Sequence, residues 1–501
     1  MSSAALQLRL LSISLCKNRV WGREMRANTG GNIESSLSAA QWLLLVAVGL
    51  SSLMVASQVS ALNAILPFVA RSFGVDLPTI QWVVLTYLIV GSGLLLAFGR
   101  LGDMIGQRRL YLTGFVVFVS GSLLSSLAPN LPWLISTRIV QAVGGGMITS
   151  SSAPLITKTL PRSHRGRGLS AQIVMVYCGL AIGPGMGGVL ADTLGWRWVF
   201  LVNVPLGLMA AGVTLVAIPK DKPISAQQSF DMAGALTFTA GLTSLFLLMG
   251  GGNGGQWFPG SHLILLALFL FFTGAFVVLE LRRPEPMLDL RLFKSRFFSA
   301  VTTSALLNYI GYSTLAFLVP FYLVDGMGYG ATNAGVLITA MPMAMMIFAP
   351  FSGWLSDKFG PRIPASLGMA LLSGGIFMLS RLESAPLVKE IVPRLALAGM
   401  GVGLFSSANN SAIMGSVPLD RQGVANGVVS TARQLGMMLG VAISTAVFKA
   451  RYPFYEIRGE ASATLAAFQD AFLLVAAIVL VGALTSLVRG KHGDQTEEFV
   501  A

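Results

Sequence analysis

A charged turn occurs twice in this chain. Gly99-Arg100-Leu101-Gly102-Asp103-Met104-Ile105-Gly106-Gln107-Arg108-Arg109 returns 254 residues later as Gly353-Trp354-Leu355-Ser356-Asp357-Lys358-Phe359-Gly360-Pro361-Arg362. Both copies keep the frame G-x-L-x-D-x-x-G-x-R, and each joins two long apolar stretches. An internal repeat of this kind constrains the fold to two similar halves, each carrying the turn at the same place.

Composition says what surrounds those halves. Only 11% of the residues are charged and 54% are hydrophobic, against about a quarter charged in a soluble domain. Such a chain cannot clothe itself in polar surface, so a lipid bilayer is its expected solvent. The net charge of +13 would point to nucleic acid in a soluble protein. Here the charge sits in short loops without basic–aromatic interleaving, which argues against a nucleic-acid partner. Cys16 and Cys178 lie far apart with no metal-ligand spacing, so no metal site is expected. Nor is there a P-loop or a nucleophile–base pair, so neither ATP, a cofactor nor an enzymatic activity is expected.

A membrane-spanning helix needs about 20 mostly apolar residues. Fourteen stretches qualify: 41–66, 80–100, 110–128, 131–157, 168–191, 198–218, 232–250, 260–281, 297–324, 333–355, 363–382, 391–415, 424–448 and 466–488. With both termini cytoplasmic, the external side receives only Arg71, Arg197, Arg381, Lys389, Arg394, Lys449, Arg451 and Arg458 of the 34 Lys and Arg. Arg138 and Arg433 fall inside spans, and the rest lie on the cytoplasmic side. That bias predicts an N-in, C-in topology.

The repeat then divides the chain. Pro67 precedes Gly99 by 32 residues and Pro320 precedes Gly353 by 33, so the stretch from 297 corresponds to the first. The expected all-α plan is 6+2+6: halves at 39–220 and 297–488, and two extra helices with linkers at 221–296. A basic cytoplasmic tail at 1–38 and a short one at 489–501 flank them. In the first tail residues 6–15 are apolar and Lys17, Arg19, Arg23 and Arg26 follow, the reverse of a signal peptide. Disorder or interfacial lodging is expected there, and a start at Met25 would give a more compact beginning.

The motifs, in this order, are similar to those of the major facilitator superfamily, and more narrowly of its fourteen-helix drug:proton antiporters. The doubled turn resembles the signature loop between helices 2 and 3 of each half. Gly179-Leu180-Ala181-Ile182-Gly183-Pro184-Gly185-Met186-Gly187-Gly188 resembles the antiporter signature of helix 5. Trp196-Arg197-Trp198-Val199-Phe200-Leu201-Val202-Asn203-Val204-Pro205-Leu206-Gly207 resembles the entry to helix 6, and Thr431-Ala432-Arg433-Gln434-Leu435-Gly436 a late-helix signature. The resemblance implies a multi-pass cell-membrane transporter that exports small amphiphiles or drugs in exchange for protons. It also implies a gating role for Gly99, Asp103, Gly106, Arg108, Arg109, Gly353, Asp357, Gly360 and Arg362. Chemically, the turn glycines permit tight turning, and Asp103 and Asp357 can accept from helix-end N–H groups or neighbouring arginines. In the helix 5 stretch, Gly183-Pro184 is expected to break the helical ladder, while Gly179, Gly187 and Gly188 let a neighbour approach.

Arg138 lies about 10 Å into its stretch and Arg433 roughly 13 Å. A charge at that depth faces a cavity or a partner. Arg138 matches the family's helix 4 arginine, implicated in proton transfer, although Ala142 stands where the family usually has glycine. Structural pairing with carbonyls or amides is an equal alternative for both arginines. Gln58, Asn63, Asn308 and Asn409 complete the polar candidates for the cavity, with Asn203, Asn410 and Gln434 as further partners.

One element of the family pattern is missing. Its helix 1 usually carries an Asp nine residues before the proline, and here that position is Gln58. A carboxylate there could exchange a proton as access alternates; an amide cannot titrate. No Asp or Glu falls at mid-membrane, which leaves Asp325 and Asp470 as substitute carriers. Two arginines and no carboxylate should favour neutral or anionic amphiphiles over permanent cations. A proton-independent uniporter or importer, and a non-transporting sensor on the same fold, remain the alternatives.

Overall fold

The computed structural model describes residues 37–218, 232–249, 261–282, 290–382, 387–416, 422–456 and 460–487. The expectations for the two tails, for Met25 and for the loops between these segments lie outside them. Contacts divide the chain into residues 1–42 and a unit over 43–501; of the former, only the start of the first helix is described.

Among the described residues all regular structure is helical. In lipid that is expected, because every backbone N–H and C=O must find its partner within the segment. In chain order the helices are α1 Ala39–Phe73, α2 Leu77–Ile80, α3 Trp82–Ile105, α4 Gln107–Ser126, α5 Leu131–Thr159 and α6 Arg162–Thr193. They continue with α7 Trp198–Leu201, α8 Asn203–Ala217, α9 Met232–Met249, α10 Ser261–Arg282 and α11 Arg296–Phe321. The last are α12 Ala331–Ile338, α13 Ala340–Phe359, α14 Arg362–Leu379, α15 Val388–Ser416, α16 Gln422–Tyr455 and α17 Glu460–Leu487. Side-chain caps start several of them: Asp76 accepts from the Thr79 N–H at 3.1 Å and Asn130 from the Trp133 N–H at 2.9 Å.

Among the described residues, twelve segments are long and apolar enough to cross a membrane. Two expected spans fall short of that measure. In α9 only Leu236–Met249 is apolar, and α16, 34 residues long, interleaves Ser430, Thr431, Arg433 and Gln434 with its apolar residues.

Two prolines depart from expectation. Pro67 does not end the first span, since α1 runs through it to Phe73. The expected break at Gly183-Pro184 is absent because α6 is continuous from Arg162 to Thr193, and Pro320 lies inside α11, as the span 297–324 requires. Membrane helices tolerate proline where neighbours occupy the freed carbonyl. Between α7 and α8 the backbone stays helical at Val202 (φ −61°, ψ −23°), so Trp198–Ala217 forms one span.

A first group runs from α1 to α8: α5 packs against both α3 and α4, α8 against α4, and α1 meets α6 along Gly179, Gly183 and Gly187, while α6 also packs on α12 and α13. A second group forms likewise around α15, which packs on α13 and α14, with α11 on α16 and α14 on α17. Helices α9 and α10 pair with each other, and α9 leans on α3. Leu208, Leu263, Phe271 and Trp354 are exposed on the outside, as a lipid-facing belt requires.

Candidate functional site

In both copies of the repeated turn the last glycine of the frame closes a helix: Gly106 ends α3 and also opens α4, and Gly360 ends α13, with Pro361 opening α14. Gly106 has φ 99° and Gly360 φ 78°, a region that side-chain-bearing residues avoid. The shared glycine is therefore a demand of the backbone. Asp103 accepts from Lys158 Nζ at 3.0 Å, from the end of α5, and from Gln107 Nε2 at 3.1 Å. Arg108 donates to the Leu215 carbonyl at 3.1 Å in the last turn of α8, a favourable site for a cation. Gly99 and Gly353 are half-buried, and Arg109 and Arg362 are exposed. The Asp357 side chain is outside the described residues.

At the opposite end the two helix groups meet. Arg71, at the end of α1, donates through Nη2 to Asp325 Oδ1 at 2.6 Å, through Nε to the same oxygen at 3.1 Å, and to the Val324 carbonyl at 3.3 Å. The two residues are 254 positions apart, one more than the 253 that separates Pro67 from Pro320, so near-equivalent places in the repeat touch. Asp192, in the last turn of α6, accepts from the Thr332 N–H at 2.8 Å and from its hydroxyl at 2.5 Å. The carboxylate thus caps the first turn of α12 from across the boundary. Asp325 is engaged at this end of the molecule, away from Arg138 and Gln58. Asp470 is likewise committed, to Tyr455 Oη at 2.9 Å and Arg451 Nε at 3.2 Å.

The Arg71–Asp325 pair is partly solvated, with the side chains 57% and 33% exposed. Its contribution is therefore about 0–1 kcal/mol. Arg71→Ala should shift the balance towards opening of this end only several-fold, measured as faster thiol labelling of Val75→Cys. Arg71→Asp alone should do more, and Asp325→Arg added to it should restore the original rate, because the swap again places opposite charges in contact. An unrescued double variant would show that charge is not what joins them.

The glycine motif lies on two faces of α6. A Cβ at Gly179 would come within 2.5 Å of the Leu53 carbonyl oxygen, at Gly183 within 2.7 Å of that of Ser57, and at Gly187 within 2.9 Å of that of Ala61. These three seat α6 on α1. A Cβ at Gly188 would instead come within 2.3 Å of the Ala331 carbonyl, and one at Gly335 within 2.3 Å of that of Pro184. The motif thus joins α6 to its own group on one face and to α12 on the other.

The polar candidates do not converge on one cavity. Gln58 is 1% exposed; its Oε1 accepts a short bond from Asn203 Nδ2, tying α1 to α8. Arg138 is 2% exposed. Its Nε donates to the Val83 carbonyl at 3.2 Å, its Nη1 makes a short bond to Gln141 Oε1, and its guanidinium lies 4.2 Å from the Tyr87 ring centroid. It is held between α3 and α5, inside the first group. Asn308 is fully buried and its Nδ2 lies 3.2 Å from Met369 Sδ. Asn409 is buried on α15, Asn63 half-buried and Asn410 exposed.

Arg433 lies at the boundary between the groups. Its Nη2 donates to Ser430 Oγ at 2.7 Å, and its guanidinium lies 6.0 Å from the Tyr309 ring centroid. Tyr177, from the middle of α6, is within electrostatic reach of both Tyr309 and Arg433. Sequence reasoning passed over these tyrosines, because tyrosine in an apolar stretch reads as packing. The available signal was their recurrence, Tyr309 and Tyr312, one turn apart beside the polar positions.

The doubled turn, the helix 6 seam and the two meeting groups define a membrane transporter, and the residues match one family. The family model for the Major Facilitator Superfamily matches residues 48–441 and 301–497. The chain belongs to that superfamily, as a multi-pass cell-membrane protein of the multidrug type. It is 29% identical over 457 residues to the riboflavin transporter RibZ of Clostridioides difficile, covering 91% of this chain and 99% of that protein. It is 30% identical over 418 residues to the multidrug resistance protein Stp of Mycobacterium tuberculosis, covering 83% and 77%. Its fold is that of a bacterial homologue of the human lysosomal transporter Spinster, solved in an inward-facing, unoccupied conformation. The TM-score is 0.67 at 12% identity, over 91% of this chain and 98% of that one.

Proposed function

We propose that this protein is a secondary active exporter of small amphiphilic compounds, working by alternating access between two six-helix halves and driven by protons. The observation that carries the reading is the joining of the two helix groups at one end by Arg71–Asp325, Asp192–Thr332 and the Gly188–Ala331 contact. These contacts are small, polar and separable, as a gate that opens each cycle requires. On the N-in, C-in topology they close the external side, and the doubled G-x-L-x-D-x-x-G-x-R turns lie at the cytoplasmic side. Helices α9 and α10 are the two extra spans of a 6+2+6 plan. Multidrug relatives such as Stp support export of drug-like compounds.

The proton step is tested in proteoliposomes loaded with neutral, anionic and cationic fluorescent amphiphiles, with and without a pH gradient. Export should quicken when the acceptor side is acidic. Gln58→Asp should increase the gradient-driven rate several-fold, since Asn203 can donate to a carboxylate as it does to the amide and a carboxylate can carry the proton. Flux indifferent to the gradient in both proteins would favour a uniporter or importer instead. The RibZ relative, named for riboflavin transport, and the amide at Gln58 speak for that second reading. Binding without any flux would point to a sensor.

A further inference from the structure

Where α6 passes the second helix group at mid-height, the boundary between the groups carries an unusual set of side chains. Tyr309 and Tyr312 meet edge to face, with centroids 5.9 Å apart and planes at 72°. Arg433 stands 6.0 Å from the Tyr309 centroid. Tyr177 reaches this pair from the first group and interacts with Tyr309, Tyr312 and Arg433. All four residues are half-buried, in the middle of helices that the membrane surrounds.

Two more polar groups sharpen the chemistry. Gln434 Oε1, on the residue that follows Arg433 on α16, is buried and has no hydrogen-bond partner among the described residues. Ser406 is hydrogen-bonded to the Tyr177 side chain. A buried polar atom without a partner is costly, so its persistence calls for an explanation. A ligand with an N–H or O–H edge would supply the missing donor, while Arg433 supplies donors to the ligand's oxygens.

The frame that holds the rings is rigid. A Cβ at Gly436 would lie 3.0 Å from Tyr309 Cβ, and one at Gly440 only 2.4 Å from the Ile310 carbonyl. The backbones of α11 and α16 therefore press together and fix the base of Tyr309. No Asp or Glu lies within ten residues of Tyr177, Tyr309, Tyr312, Ser406 or Arg433 in the sequence. A permanent cation would meet the guanidinium with nothing to offset it in a medium of low dielectric. A flat ring gains from aromatic faces on both sides, because offset stacking and edge contacts favour planar partners.

We propose that this site recognises flat aromatic ring systems, neutral or anionic, that carry an imide, amide or carboxylate edge. The ring lies between Tyr177 and Tyr309, and its polar edge faces Arg433 and Gln434. Because Tyr177 belongs to one group and the remaining contacts to the other, such a ligand bridges the two. This specificity rests on the transporter reading above, with the bridged site as its cargo site.

Binding and flux are measured separately, with naphthalimide as a flat neutral probe, naphthoate as a flat anion, ethidium as a flat cation and cholate as a bulky anion. Affinity is read in nanodiscs and efflux in proteoliposomes. Naphthalimide and naphthoate should bind at least about tenfold more tightly than ethidium or cholate. Arg433→Met should weaken naphthoate about tenfold and naphthalimide much less. Arg433→Lys, which keeps the charge, should hold part of the naphthoate affinity. Tyr177→Leu and Tyr309→Leu should weaken both flat probes, and Tyr177→Phe should keep them. Thermal melting confirms that each variant is folded before it is scored.

Equal or tighter binding of ethidium or cholate overturns the proposal, as does naphthoate binding indifferent to Arg433 and both tyrosines. Tyrosine- and arginine-dependent binding without efflux leaves the recognition site standing and removes the exporter reading. Efflux of cholate or ethidium in preference to both flat probes does the reverse.

Discussion

Gly188→Val should open the end of the molecule that Arg71 and Asp192 hold shut. The glycine's missing Cβ is what lets the Ala331 carbonyl approach, and an added carbon would come within 2.3 Å of it. The atom it meets is backbone, so no rotamer change relieves the overlap. The contact lies between the two helix groups, and separating them removes the clash without disturbing either core. Overpacking costs about 1–3 kcal/mol, which converts to a shift of roughly 5- to 150-fold in favour of the opened form. Spin labels at Leu194→Cys and Val336→Cys, both exposed positions, in a Cys16→Ser, Cys178→Ser background, would read the separation. An unchanged distance in a folded Gly188→Val protein would show that this seam is not a gate. The same variant should slow efflux, because a transporter biased to one state completes fewer cycles.

Gly179→Val should instead cost the fold. Its added carbon would lie 2.5 Å from the Leu53 carbonyl oxygen and 2.9 Å from Ala56 Cβ. Both belong to α1, inside one helix group, where Ser60 Oγ also donates to the Gly179 carbonyl at 3.3 Å. No productive motion parts α1 from α6, so the strain must be borne by the packed interior. A loss of about 3 kcal/mol is expected, with a fall in melting temperature of roughly 5 °C or more and low recovery of folded protein. A Gly179→Val protein that melts normally but labels as open would mean that the two faces of α6 have been assigned the wrong way round. The comparison matters because both glycines sit in one ten-residue motif, and only geometry separates their roles.

Much of this was written in the sequence. Apolar length and the repeated turn revealed the spans because burial in lipid leaves so few backbone solutions. Gly106 and Gly360 were legible because a positive φ leaves few alternatives to glycine. Proline was misread at Pro67 and Pro184, since its meaning depends on whether a neighbouring helix accepts the freed carbonyl. The meeting of Arg71 with Asp325, and of Asp192 with Thr332, was invisible for another reason. These pairs join segments remote in sequence, and their side chains read individually as ordinary external charges. Arg138 was foreseen as buried with a partner or open to a cavity, and the structure places it among protein partners. The site's tyrosines were hidden by their type, because the same residue serves packing and recognition alike.

Arg138 also bears on how the molecule is built. An arginine at mid-membrane raises the cost of inserting its helix by about 2.5–3.5 kcal/mol. Its carbonyl acceptor, Val83, and its aromatic neighbour, Tyr87, both lie on α3, which leaves the ribosome before α5. The helix that receives the charge is therefore already in the bilayer when the charge arrives. Chain order supplies a partner for the arginine, and α3 and α5 can dock before α11 has been synthesised.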